Sequence, residues 1–174
     1  SALRHPPNAP TIHFSTWPFL NQFSVEYHLG YGRKEAMVKP DGFIHLRADK
    51  SNGFKHQAFF LELDRSTESL SILADKVIHY RAYYRSGGFA ERSGDHPDAY
   101  RNHPFRVLMV CKSEARRDNA ARRLLSIDPP IKTMVWLTTQ REIVQNPLGP
   151  IWVRPGDYQE GHEPAALRRQ VVMW

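Results

Sequence analysis

Two carboxylates, Glu62 and Asp64, interrupt the otherwise apolar run Gln57-Ala58-Phe59-Phe60-Leu61-Glu62-Leu63-Asp64. On a β-strand this alternation sends both from one face, while Phe59, Leu61 and Leu63 leave the other. Carboxylates held side by side repel unless something cationic lies between them. Asp41, in the turn Lys39-Pro40-Asp41-Gly42, adds a third oxygen donor if its strand pairs with the one carrying Glu62. Three hard oxygens suit Mg²⁺ or Mn²⁺, which keep several waters and can share a phosphate. Such an ion polarises a phosphodiester, generates a nucleophilic water and stabilises the leaving oxygen. Lys76 is the candidate phosphate or water partner, because it falls between Leu73 and Tyr80 at the border of a helix face turned to the sheet. The candidate catalytic residues are therefore Asp41, Glu62, Asp64 and Lys76, with Asp41, Glu62 and Asp64 as metal ligands. Each alone has an ordinary explanation as a turn residue, an exposed strand face or a surface lysine. Their meeting at one strand–helix junction is the argument for a shared site.

The elements that must position them are legible from periodicity and punctuation. Residues 36–39 and 43–47 read as short strands around the Pro40-Asp41-Gly42 turn, and residues 49–55 as a polar hairpin connection to the strand 57–64. Ser66 or Thr67 is the expected cap of a helix from about Glu68 to Arg85, whose Leu70, Leu73, Val77, Tyr80 and Tyr84 face the sheet. Ser86-Gly87-Gly88 ends it. The polar stretch from Ala90 to Pro104 reads as a long mobile loop. Phe105 to Cys111 is a strand, Ser113 caps a basic helix to about Leu125, and Thr133 to Thr138 is a further strand, a spacing that predicts a parallel crossover. Between Thr16 and Tyr31 the pattern is mixed, with a short helix carrying Glu26 as an expectation. The ends, 1–15 and 155–174, read as an extended segment and a tail with a short terminal helix.

At these residues the chain resembles the replication-relaxation protein family of bacterial plasmids and mobile elements. The resemblance runs through Lys39-Pro40-Asp41-Gly42, then Phe60-Leu61-Glu62-Leu63-Asp64-Arg65-Ser66-Thr67-Glu68, then Lys76 and Tyr80, and covers roughly Val38 to Leu137. That family looks related to PD-(D/E)XK nucleases and to one class of plasmid-mobilising relaxases. The resemblance implies an α/β restriction-endonuclease-like core, a central mixed sheet flanked by helices, a divalent metal, and cleavage or nicking of DNA. One departure stands out: the acidic-x-lysine triplet would put lysine where this chain has Asp64, so either Lys76 substitutes from the helix or the site has weak or no nuclease activity. The relaxase side of the resemblance adds Tyr80, Tyr83 and Tyr84 as conceivable nucleophiles, although aromatic residues on a packed helix face usually build core. Glu26 and Tyr80 are carried as possible helpers.

Lys+Arg exceed Asp+Glu by 24 to 18, a net charge of +6 that suits a polyanionic partner without demanding one. Lys112, Arg116, Arg117, Arg122 and Arg123, on or just before the second helix, are the candidate DNA-binding residues. Arg33, Lys34, Arg85 and Arg92 are weaker candidates on expected connections, and His28, His45 and His79 are conceivable helpers. No His-x-x-x-His or Cys-x-x-Cys spacing points to structural zinc. The sequence also lacks a phosphate-binding P-loop, a dinucleotide fingerprint and a Gly-x-Ser-x-Gly elbow, which removes the corresponding nucleotide hydrolases, oxidoreductases and serine hydrolases. Cys111, the single cysteine, cannot form an intrachain disulfide and reads as a buried reduced thiol.

At 174 residues the expectation is one nuclease-like domain excised from a longer protein, cytoplasmic and bacterial, with no membrane span. Its expected partner is DNA, with a homodimer or mobilisation-complex proteins as further partners. The leading function is a metal-dependent endonuclease or nickase in plasmid replication or conjugative mobilisation. The alternatives are a catalytically silent DNA-binding accessory module and a protein-interaction domain.

Overall fold

Alternation along the central strands decides which side of the sheet each residue faces, and two separate cores result. The computed structural model describes residues 11–15, 23–28, 33–47, 57–147 and 149–158, and side chains over 38–46, 57–147 and 149–158. Strands β1 (Thr11–Ser15), β2 (Phe23–His28), β3 (Arg33–Val38), β4 (Gly42–Arg47) and β5 (Gln57–Asp64) precede helix α1 (Leu70–Arg85). Then follow α2 (Gly88–Arg92), a 3-10 helix (Pro97–Asn102), β6 (Phe105–Cys111), α3 (Glu114–Leu125), β7 (Val135–Thr139), α4 (Gln140–Gln145) and a 3-10 turn (Pro155–Tyr158). The main sheet has the order β1-β4-β5-β6-β7, a mixed four-stranded core extended by β1. β4 runs antiparallel to β1 and β5, whereas β5, β6 and β7 are parallel. The two crossovers, β5–α1–β6 and β6–α3–β7, are those that strand-helix-strand spacing requires. β2 and β3 pair in a separate two-stranded sheet beside α1.

Phe60, Val107, Met109, Val135 and Leu137 point toward α1 and α3, where Leu73, Val77, Tyr80, Ala120, Ala121 and Leu124 meet them. Phe59, Leu108, Val110 and Trp136 take the opposite face and pack with Leu46 and Trp152. Glu62 and Asp64 continue the Phe60 side, as their spacing predicts, and so emerge beneath α1. Cys111 is fully buried and free, its thiol pushed up by burial.

Several expectations are corrected. The cap of α1 is Ser69, whose side chain accepts from the Ile72 N–H at 3.3 Å, not Ser66 or Thr67. Ser66 is instead in the left-handed region, φ 61°, in a turn closed by its N–H donating to Asp64 Oδ1. The helix face includes fully packed Ala74 and Tyr83, while Leu70 and Tyr84 are only partly buried. Most of the segment expected to be a mobile loop is short helix: α2 buries Phe89 and Ala90, and His103 Nε2 lies 2.9 Å from Asp95 Oδ2 across the 3-10 helix. Glu26 lies in β2, opposite Glu35, rather than in a helix, and Arg33 and Lys34 open β3 rather than a connection. Helix α4 was not foreseen. The connection 49–55 and the terminal helix expected near 165–170 lie outside the described residues. No helix among the described residues is long and apolar enough to cross a membrane.

Candidate active site

The carboxyl end of β5 and the first turns of α1 enclose a cleft bordered by Asp41, Glu62, Asp64, Glu68 and Lys76. Clefts outside the carboxyl ends of parallel strands are where open α/β sheets usually bind ligands. Asp41 is set by the backbone pairing of β4 with β5: its N–H donates to the Leu61 carbonyl at 2.9 Å and its Oδ2 accepts from the Leu63 N–H at 2.8 Å. The side chain thus extends the β-ladder by one step and remains exposed at the rim. This contact also gives Asp41 a structural task in fixing the register.

Glu62 is the buried member, 6% exposed. Tyr80 donates its hydroxyl to Glu62 Oε1 at 2.5 Å, and Lys76 Nζ lies 3.9 Å from Oε2. Burial pushes the Glu62 carboxyl up to about 7; the Tyr80 hydrogen bond and the Lys76 charge oppose this, while Asp41 and Glu68 add to it. Lys76 also pairs with Glu68 at 2.8 Å. Burial works against its charge, but Glu68, Glu62 and Asp41 outweigh that and hold the ammonium above its usual range. Asp41, Glu62 and Lys76 are therefore brought together from a turn, a strand and a helix.

Asp64 behaves differently. Arg116 grips it through two contacts, Nε to Oδ2 at 2.6 Å and Nη2 to Oδ1 at 3.1 Å, and also donates from Nη2 to the Glu68 carbonyl at 2.7 Å. With the Ser66 N–H on Oδ1 as well, both oxygens of Asp64 are engaged by the protein. Among the described residues no group of three or more His, Cys, Asp or Glu is arranged to hold a metal ion. Of the three carboxylates expected as ligands, Asp64 is the one paired with an arginine. Two carboxylates still match the donor chemistry of Mg²⁺ or Mn²⁺, which draw their remaining ligands from water and phosphate.

Of the candidate DNA-binding residues, Arg117 is corrected. Its side chain is wholly buried on the sheet-facing side of α3, donating to Asp118 Oδ1 at 2.8 Å and reaching Glu142 Oε2 at 3.4 Å. A fully enclosed guanidinium cannot meet a phosphate. Its position three, four and seven before Ala120, Ala121 and Leu124 was a readable sign. Arg116 is committed to Asp64, whereas Lys112, Arg122 and Arg123 are exposed. Arg85 and Arg92 are exposed at helix ends. Among the possible histidines, His45 and His79 do not border the cleft. The side chains of His28 and Glu26 lie outside the described residues.

The setting of Tyr80 is that of a hydrogen-bond donor to Glu62. The tyrosine is 1% exposed, and burial together with the neighbouring Glu62 charge drives its hydroxyl far above the ordinary range, so it stays a protonated donor. Tyr83 is also buried, its hydroxyl pushed up by burial, and Tyr84 stacks edge-on with Tyr100 and Phe105. Sequence reasoning missed Glu68 as the partner of Lys76 and Arg116 as the partner of Asp64. The first link joins a loop to a helix and the second spans 52 positions, so neither leaves a local periodic signal.

Among known protein families, the model described as replication-relaxation matches residues 7–98, more than half of the chain. No curated protein and no solved structure matches.

Proposed function

Because the chain belongs to the replication-relaxation family, we propose that it acts on plasmid DNA during replication or mobilisation and cuts or nicks the phosphodiester backbone at the β5–α1 cleft. The convergence of Asp41, Glu62 and Lys76 on that cleft carries the reading. It corresponds to a PD-(D/E)XK-like arrangement in which Pro40-Asp41 and Glu62 supply the acidic pair and Lys76 supplies the ammonium from α1. The mixed sheet with helices packed on it supports that reading of the core.

Asp41 and Glu62 would hold Mg²⁺ or Mn²⁺, which when bound polarises the phosphate and lowers the pKa of a water. Lys76, between Glu62 and Glu68, would donate to a phosphate oxygen or orient the attacking water. Asp64 and Arg116 brace the junction of β5, α1 and α3. Exposed Lys112, Arg122 and Arg123 would follow the backbone of the bound DNA.

The Asp64–Arg116 pair favours one other reading, a catalytically silent DNA-binding module, because a neutralised carboxylate occupies the place of the triplet lysine. Incubation of supercoiled plasmid with Mg²⁺ or Mn²⁺ separates the two. The nuclease reading predicts nicking by the native chain and loss of about 100-fold or more in folded Asp41→Asn, Glu62→Gln and Lys76→Met variants, the scale of removing a catalytic group. Absence of nicking with intact DNA binding would support the silent module instead.

A further inference from the structure

Tyr80 is fixed more firmly than a helix-face aromatic requires. Its ring lies 5.4 Å from Phe60 and 6.4 Å from Phe105, centroid to centroid, in the core beneath α1. That packing leaves the hydroxyl no freedom to seek another partner, and it meets a single Glu62 oxygen, Oε1. Oε2, the second oxygen, is the one facing Lys76. Rotation of the carboxyl would exchange these oxygens or turn both away; the Tyr80 hydrogen bond opposes it.

We infer that Tyr80 is a positioning residue that holds Glu62 by Oε1 so that Oε2 is presented to the cation and to Lys76. The inference rests on the metal-dependent reading of the cleft and deepens it. It assigns the tyrosine an orienting task, with no covalent step. Hydrogen-bonded partners behind a metal ligand commonly contribute 10–100-fold to metal affinity or activity.

Tyr80→Phe deletes the hydroxyl and keeps the ring against Phe60 and Phe105. Binding of Mn²⁺ to the whole chain, followed by the electron paramagnetic resonance of the free ion, should weaken by about tenfold or more. DNA affinity without divalent metal and the cooperativity of thermal unfolding should be unchanged, as in a Tyr84→Phe control. In a Glu62→Gln background the same Tyr80→Phe change should cost no further Mn²⁺ affinity. Native Mn²⁺ affinity in Tyr80→Phe, or an equal loss in the Glu62→Gln background, would overturn the positioning role and leave the metal site standing. A native chain that neither binds Mn²⁺ nor nicks plasmid would overturn the metal reading, and the positioning role with it.

Discussion

A carboxyl group kept from water without a full counter-charge makes stability depend on pH, and Glu62 is placed to do so. Its folded value of about 7 stands above the ordinary 4.5, so below 4.5 both folded and unfolded chains carry the proton and no penalty arises. As pH rises from 4.5 through 7 the unfolded chain ionises freely while the folded one resists, and stability is lost. The difference of 7 − 4.5 corresponds to on the order of 3 kcal/mol at pH 8. Metal-free Glu62→Gln should therefore be more stable than the native chain at pH 8, with the gain fading toward pH 4.5; calorimetry across that range checks it. An advantage that grows toward acid would contradict the burial argument. At this scale the sequence revealed what is local. Period-two alternation gave the Glu62 face, the Pro-Asp-Gly turn gave Asp41, and helical spacing put Lys76 beside both. It did not reveal that Asp64 is held by Arg116, since that contact depends on how α3 docks against β5.

Helix α3 shows how an element sorts residues of one type into different tasks. Arg117 lies on its packed side with Ala120, Ala121 and Leu124, whereas Arg122 and Arg123 lie outside. Removing a buried partner strands the charges around it. Arg117→Ala should destabilise the fold by on the order of 3 kcal/mol, read by chemical denaturation. Arg122→Ala with Arg123→Ala should leave stability nearly native while weakening DNA binding and flattening its salt dependence. Equal destabilisation by both changes would erase the distinction. The joint after α1 makes a second case: Gly87 has φ 77°, and an added Cβ would run into the Pro97 backbone. Gly87→Ala should cost on the order of 2 kcal/mol, and an unchanged melting temperature would show that the joint yields. The strands and the two long helices were legible because each is periodic and punctuated. Helix α2 and the 3-10 helix were not, because polar residues cover them and their few anchors, Phe89 and Ala90, are too sparse to set a period. Helix α4 carries a capping box legible in the sequence, Thr139 with Glu142.

Taken as a whole, the molecule sets an acidic cleft in a chain of net charge +6, and on the proposed function a cation would be needed where a phosphate met the carboxylates. The cleft opens at the carboxyl end of β5, with Met109 of β6 at its floor and the first turns of α1 along one side, and Arg116 of α3 reaches its border through Asp64. The α/β class and the parallel β6–α3–β7 crossover followed from the order of elements along the chain, whereas the parallel pairing of β5 with β6 was added by the structure. The separate β2–β3 sheet did not follow from that order, because the mixed pattern between Thr16 and Tyr31 specifies no period. On the proposed function, Asp41 and Glu62, without Asp64, form the cation site. A crystal of the chain soaked in Mn²⁺ and measured for anomalous scattering tests it most directly. One peak is expected within coordination distance of Asp41 and Glu62, with the Asp64–Arg116 pair intact. A peak that recruits Asp64 away from Arg116, or none at the cleft, would contradict it.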